Sequence, residues 1–470
     1  MTPAHIVGLV ATILIIAILS IRSGKNVKSA SDFSGSGKSA GSAIIAGAII
    51  GTLVGGSSTV GTAQLAYTYG MSAWWFTLGA GVACLILALG FAKPLRSSGC
   101  STLIGLLERE YGKTSGVLAT WLSSIGTFIN IISQMLAATA VLAVVFPKMS
   151  VLPALAISAA IMALYVIFGG VKAAGMVGIV KLVLLYVSMI GAGIIVLILC
   201  GGAAPLVSQI KALQSSQGEN AVNYFSLFAR GVGTDLGAGL SLVFGVLTTQ
   251  TYAQAVMSGK SDAASVKGAL LSAFLIPPIG IGGILVGLYM RINFPGIPAK
   301  QALTQFVLMH MPPILGGVVL GTLFIAVVGT GAGLALGIST IISEDMLGKL
   351  KGKSCGQKKL TLSRVIIVLV LALACVFSTG RLGDTILSFA FMSMGLRGAV
   401  VFAPLVCAIW LPGRVDSCFI IASIIAGPAC VLVFGLLNVL PFDPLFLGIA
   451  ASAIICFLGY VCKKKEPKLL

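Results

Sequence analysis

Apolar residues run along this chain in stretches long enough to cross a hydrocarbon core of about 30 Å, which takes about 20 residues of helix, and short polar or basic turns separate them. About thirteen stretches can be marked, near residues 3–21, 41–69, 72–92, 115–146, 150–168, 173–201, 232–257, 266–290, 313–343, 363–379, 384–411, 417–439 and 444–462. A helix satisfies its backbone hydrogen bonds internally, so the pattern predicts an all-α membrane protein. Three stretches carry polar interruptions: GGSSTVGTAQ at Gly55 to Gln64, TTQTYAQ at Thr248 to Gln254, and VVGTGAG at Val327 to Gly333. A helix opens at membrane depth only where protein, water or a ligand takes over its freed backbone groups. The interruptions are therefore expected to be broken helices around a ligand site. Close packing between helices is the other use of such small residues.

Composition agrees. Charged residues make up 9% and hydrophobic ones 58%, with mean hydropathy +1.09, against about 25% charged in a soluble domain. The net charge of +18 is distributed as topology. With the N-terminus outside, about 22 lysines and arginines fall on the inner side, among them Arg22, Lys25, Lys28, Lys38, Arg96, Lys260 and the run from Lys349 to Arg364, and about 6 on the outer side. The expectation is a multi-pass plasma (inner) membrane protein with a cytoplasmic C-terminus. Its basic side meets anionic lipid, and no basic aromatic module suggests nucleic-acid binding. The first stretch has basic residues after its apolar run and no small-residue cleavage site, so it reads as a retained helix.

The ten cysteines lie mostly within spans, without metal-ligand spacing. The two histidines, His5 and His310, lie near the outer face, and no acid–base pair, GxSxG turn or phosphate-cradling loop is visible. No cofactor is expected, an enzyme is the least favoured reading, and transport is the default. A transporter-like sensor stays as a lesser alternative, and nothing requires an oligomer.

Four motifs in order, GxxxGGSSTVGTAQLAYTYGMSAWWF from Gly51, GGVKAAGMVGIVK at Gly169 to Lys181, TTQTYAQAVMSGKS from Thr248 and GLALGISTIISEDML from Gly333, resemble the sodium:solute symporter family across about residues 30–412. The resemblance implies a LeuT-type fold with thirteen transmembrane helices and a five-plus-five inverted repeat, 41–201 and 232–411, preceded by an extra helix at 1–22 and followed by two helices at 417–462. Transporters of this kind place substrate and ions where helices break in corresponding members of the repeats. Ser57, Ser58, Thr59, Gln250, Thr251 and Gln254 are therefore the expected substrate residues.

The family's sodium site carries over with departures. Its backbone carbonyls fall at Gly51, Val54 and Ala326, but its hydroxyl pair falls at Gly329 and Thr330, so one hydroxyl is missing. In the pattern GGxKAxxWTDxxQ the aspartate falls at Gly178 and the glutamine at Lys181. A lysine within about 4 Å of sodium opposes its binding by about 1 kcal/mol even in water, so the two should exclude one another. Lys181 lies about 12 Å along its helix. Charges at such depth are usually functional, although a long lysine can also snorkel toward headgroups. Some amino-acid transporters of this fold likewise use a lysine there, which implies proton-coupled or sodium-independent transport.

Arg397 is the other deep cation, with no aspartate or glutamate at its depth. An anion such as a substrate carboxylate, or backbone carbonyls of an opened helix, would balance it. The sequence thus reads as a secondary symporter importing a small polar, anionic organic solute by alternating access, with a proton or sodium as coupling ion. Ordinary sodium coupling through Gly51, Val54, Ala326 and Thr330 is the alternative.

Overall fold

The computed structural model describes residues 2–24, 39–167, 170–216, 218, 222–343, 355–379, 386–437, 440 and 442–463. Glu344 to Ser354, the first part of the expected basic loop Glu344 to Arg364, and the charged residues Lys25, Lys28, Lys38, Arg381 and Asp384, lie outside them.

All named elements are helices. In chain order they are α1 (Pro3–Gly24), α2 (Ser42–Leu53), α3 (Thr62–Tyr69), α4 (Trp75–Ile86), α5 (Ala92–Ser97), α6 (Leu103–Tyr111), α7 (Lys113–Val145), α8 (Val151–Ile167), α9 (Gly170–Leu199) and α10 (Ala203–Ser216). There follow α11 (Val232–Thr248), α12 (Gln250–Met257), α13 (Asp262–Leu275), α14 (Pro277–Asn293), α15 (Ala302–His310), α16 (Pro313–Ile341), α17 (Cys355–Ser378), α18 (Ile386–Trp410), α19 (Ser417–Leu437) and α20 (Leu445–Cys462). Among the described residues nine helical runs are long and apolar enough to cross a membrane, ten if α11 and α12 form one span. The thirteen expected spans are not reached by that measure, because Pro3–Leu19, Ser42–Leu53 and Val151–Tyr165 are apolar but shorter. The longer stretches between the apolar runs, 203–229 and 291–313, contain α10 and α15.

Two helices break where polar residues interrupt the apolar run. α2 ends at Val54, whose backbone is extended (φ −87°, ψ 99°), and the chain resumes through a π-helical turn at Ser57–Gly61 into α3. α11 and α12 meet at Thr249 (φ −83°, ψ 121°) with a bend of 49°. The third expected break is absent. α16 is a continuous helix through Val327 to Gly333, and its small residues serve approach: a Cβ on Gly333 would meet the Thr52 hydroxyl at 2.7 Å and one on Gly331 the Met162 sulfur at 2.6 Å.

These contacts set the core. α2 is wrapped by α9, α13 and α16, while α7 packs on α16 and α18, and α11 packs on α4 and α18. The broken segments therefore lie at the centre, buried throughout from Ile45 to Tyr67, and α1, α19 and α20 stack outside them.

Candidate functional site

The break in α2 frees backbone groups, and the chain itself supplies most of their partners. The Gly55 N–H donates to Ser58 Oγ at 2.8 Å, and the Gly55 carbonyl accepts from Ser58 Oγ and Thr59 Oγ1, each at 2.9 Å. The Gly56 N–H donates to Gln134 Oε1 of α7 at 2.9 Å. The Gln134 amide in turn donates to Ser57 Oγ at 3.1 Å and to Asn130 Oδ1 at 3.2 Å. A side chain has no room at Gly55, where a Cβ would stand 2.8 Å from Gln134 Oε1 and 2.7 Å from Thr330 Cβ. Gln134, Asn130 and Ser133, which donates to the Ile386 carbonyl, were not among the residues singled out from sequence. An amide pair four residues apart in an apolar span was the signal available for the first two.

Lys181 projects from α9 onto this break. Its side chain is 1% exposed. The ammonium donates to the Gly51 carbonyl at 2.6 Å, to the Ala326 carbonyl at 2.8 Å and to Thr330 Oγ1 at 3.2 Å. Its three N–H groups thus have three oxygen acceptors. Gly51, Ala326, Thr330 and Lys181 therefore stand together, and a Cβ at Gly329 would lie 3.5 Å from the amine. Val54, although buried beside Gly51, is not among the amine's hydrogen-bond partners.

The residues of the second break are pinned differently. Gln250 Oε1 accepts from the Leu103 N–H at 2.9 Å and its amide donates to the Ser101 carbonyl at 3.3 Å, so it ties the break to the start of α6. Thr251 donates to the Gly333 carbonyl of α16 at 3.2 Å. Gln254 is buried. The two broken segments thus meet on α16, Gly333 touching both Thr52 and Thr251.

Arg397, fully buried on α18, is held by its own helix. Its Nε donates to the Ser393 carbonyl at 3.1 Å and Nη2 lies 2.9 Å from the Met394 sulfur, while Nη1 has no partner. Met394 packs on Gly245 just before the second break, and Gly126 of α7 lies against the Arg397 stem. The buried Tyr252 hydroxyl beside the second break is likewise unpartnered. Among the described residues no group of three or more His, Cys, Asp or Glu is arranged to hold a metal.

Known proteins share this fold. A sodium-coupled sialic acid symporter, solved substrate-bound and outward-open, superposes with a TM-score of 0.81 at 16% identity, covering 98% of each chain. Mhp1, a nucleobase-cation-symport-1 family transporter, superposes with a TM-score of 0.62 at 11% identity, over 93% of this chain and 94% of Mhp1. The fold is that of the LeuT-type symporters. In sequence the chain is 25% identical to high affinity choline transporter 1 of Homo sapiens over 440 residues, 87% of this chain and 73% of that one. It is 23% identical to the high-affinity proline transporter PutP of Bacillus subtilis over 451 residues, 92% and 93% of the two chains. The match to one family's pattern runs over residues 33–427, taking in both broken helices, Lys181 and Arg397, and the chain, a multi-pass membrane protein, belongs to the sodium:solute symporter family.

Proposed function

We propose that the protein is a secondary carrier of a small polar solute bearing a carboxylate, working by alternating access, in which the Lys181 ammonium stands where a coupling sodium would bind. The observation that carries this reading is the triplet of bonds from Lys181 to Gly51, Ala326 and Thr330. These are hard oxygen donors from the broken helix and the helix facing it, the type of ligand sodium takes. An amine filling them competes with sodium for the same few ångströms, at a Coulomb cost of about 1 kcal/mol in water and more in a less polar site. Transport then runs without sodium, or with a proton moved on and off the Lys181 amine as coupling ion.

The solute's charge is argued from Arg397. The guanidinium is buried, has a free Nη1 and has no carboxylate partner among the described residues. A carboxylate binds such a fork with two charge-assisted hydrogen bonds. Two cationic side chains in the core disfavour a cationic solute such as the choline carried by some relatives, and fit the carboxylates of proline and sialic acid better. Ser57, Ser58, Thr59, Gln250, Thr251 and Gln254 border the two breaks and shape the path. The repeats are 41–201 and 232–411, the N-terminus faces outside and the C-terminus the cytoplasm.

Family membership favours a second reading, sodium coupling through Gly51, Val54, Ala326 and Thr330 after Lys181 swings aside. Uptake by proteoliposomes of labelled amino and sugar acids, with sodium replaced by potassium and with a pH gradient imposed separately, divides the two. Uptake that persists in potassium is the expected result, and strict sodium dependence would overturn the role given to Lys181.

A further inference from the structure

Away from both breaks, a cavity of about 370 Å³ opens between α11, α18, α19 and the loop leading into α20. It is within the size range of ligand pockets, and its wall has their usual makeup, mostly apolar with a few placed polar groups. Ala238, Phe391, Gly395 and Leu432 line it, and Leu432, 46% exposed, stands at its mouth. Two charged side chains reach it, Arg230 and Asp443.

The two are not equivalent. Arg230 is spoken for: its Nη2 lies 2.6 Å from Asp235 Oδ1, its Nε donates to that oxygen at 2.7 Å and to Ser72 Oγ at 3.1 Å, and the guanidinium lies over the Phe391 ring at 5.7 Å. Asp443 has one bond, from the Leu445 N–H to Oδ1 at 2.9 Å, and among the described residues it has no ion pair. It is pressed against α11, where a Cβ on Gly237 would lie 2.9 Å from Asp443 Oδ2. Burial pushes this carboxyl up, and the Leu445 N–H and Arg230 pull it the other way. With Asp235 neutralising Arg230, the cavity's described charges leave one uncompensated negative charge at the end of an apolar chamber.

We propose that this cavity binds a single-chain amphipathic ammonium, its cationic head against Asp443 and its alkyl chain along Ala238, Gly395 and Leu432. The chamber is too small for a two-chain phospholipid. Its wall includes α11, the helix that leads into the break at Thr249, so an occupant there wedges the part of the carrier that must move.

The test uses the full-length protein in phosphatidylcholine nanodiscs and radiolabelled decyltrimethylammonium, with empty discs as the partition control. The expected result is saturable binding that decanoate and decanol do not displace, that Asp443→Asn weakens at least tenfold, and that Leu432→Trp, which plugs the mouth without touching the charge, also weakens. Thermal unfolding of each variant checks its fold. Displacement by decanoate as effective as by the ammonium, which needs no variant, or unchanged affinity in folded Asp443→Asn, would overturn the proposal. Neither readout depends on what the carrier transports.

Discussion

Gly178 of α9 lies so close to the Gly47 carbonyl of α2 that a Cβ there would overlap it. The two helices approach too closely there for any side chain. Gly178→Ala should therefore force them apart and cost at least the 1–3 kcal/mol roughly typical of overpacking. Thermal unfolding in detergent measures it, and an unchanged midpoint would contradict the close approach.

Gly329 behaves oppositely. A Cβ there meets the Tyr165 hydroxyl at 3.4 Å and the Lys181 amine at 3.5 Å, ordinary contacts, so Gly329→Ser should fold as the parent does. The double variant Lys181→Gln, Gly329→Ser removes the amine and restores a hydroxyl. It should gain stabilisation by sodium that the parent lacks, read as a rise in unfolding temperature with sodium over potassium.

Gln134→Ala removes the acceptor for the Gly56 N–H inside the core. An orphaned buried donor costs about 1–3 kcal/mol, so the variant should be less stable by that amount. Gln134→Glu, which keeps the acceptor oxygen, should lose less if the carboxyl is protonated.

Arg397→Gln keeps an amide where the guanidinium is and removes its charge. For a carboxylate solute the half-saturating concentration should rise at least tenfold, while a neutral analogue of the same solute should be less affected. Equal losses for both would count against an anion at Arg397.

His310 supplies a pH dependence. It sits at the end of α15 against Tyr289, Phe294 and Phe306 with Nε2 unpartnered, and burial pushes its pKa below the ordinary 6.5. The folded protein then binds fewer protons than the unfolded chain, so the neutral ring's contribution is complete above about 6.5 and lost as pH falls below it. The unfolding temperature should drop between pH 7.5 and 5.5, and drop less in His310→Gln.

The two breaks were legible in the sequence because glycine, hydroxyl and amide side chains are costly in a lipid-facing helix, and they cluster at Gly55 to Thr59 and Thr248 to Gln254. The same composition misled at Val327 to Gly333, where small residues let α2 and α12 approach an unbroken helix. Glycine alone does not distinguish an opened backbone from a crowded one. The depth of Lys181 could be counted along its helix. The partners of Gln250 could not, since Ser101 and Leu103 lie nearly 150 residues away and nothing local announces the contact. Ser58 and Thr59 could be placed at a break, but whether their hydroxyls turn outward or back onto Gly55 depends on the turn itself.

That inward turn bears on the half of the cycle in which nothing is carried. A carrier must reset empty between one delivery and the next, and a helix gap that only cargo could fill would make the reset the slow leg. Here Ser58, Thr59 and Gln134 hold the gap, and the Lys181 amine ties Gly51 to Ala326 and Thr330. On the function proposed above, an empty carrier would reset with these bonds intact, and net flow without a coupling ion would follow whichever side holds more solute.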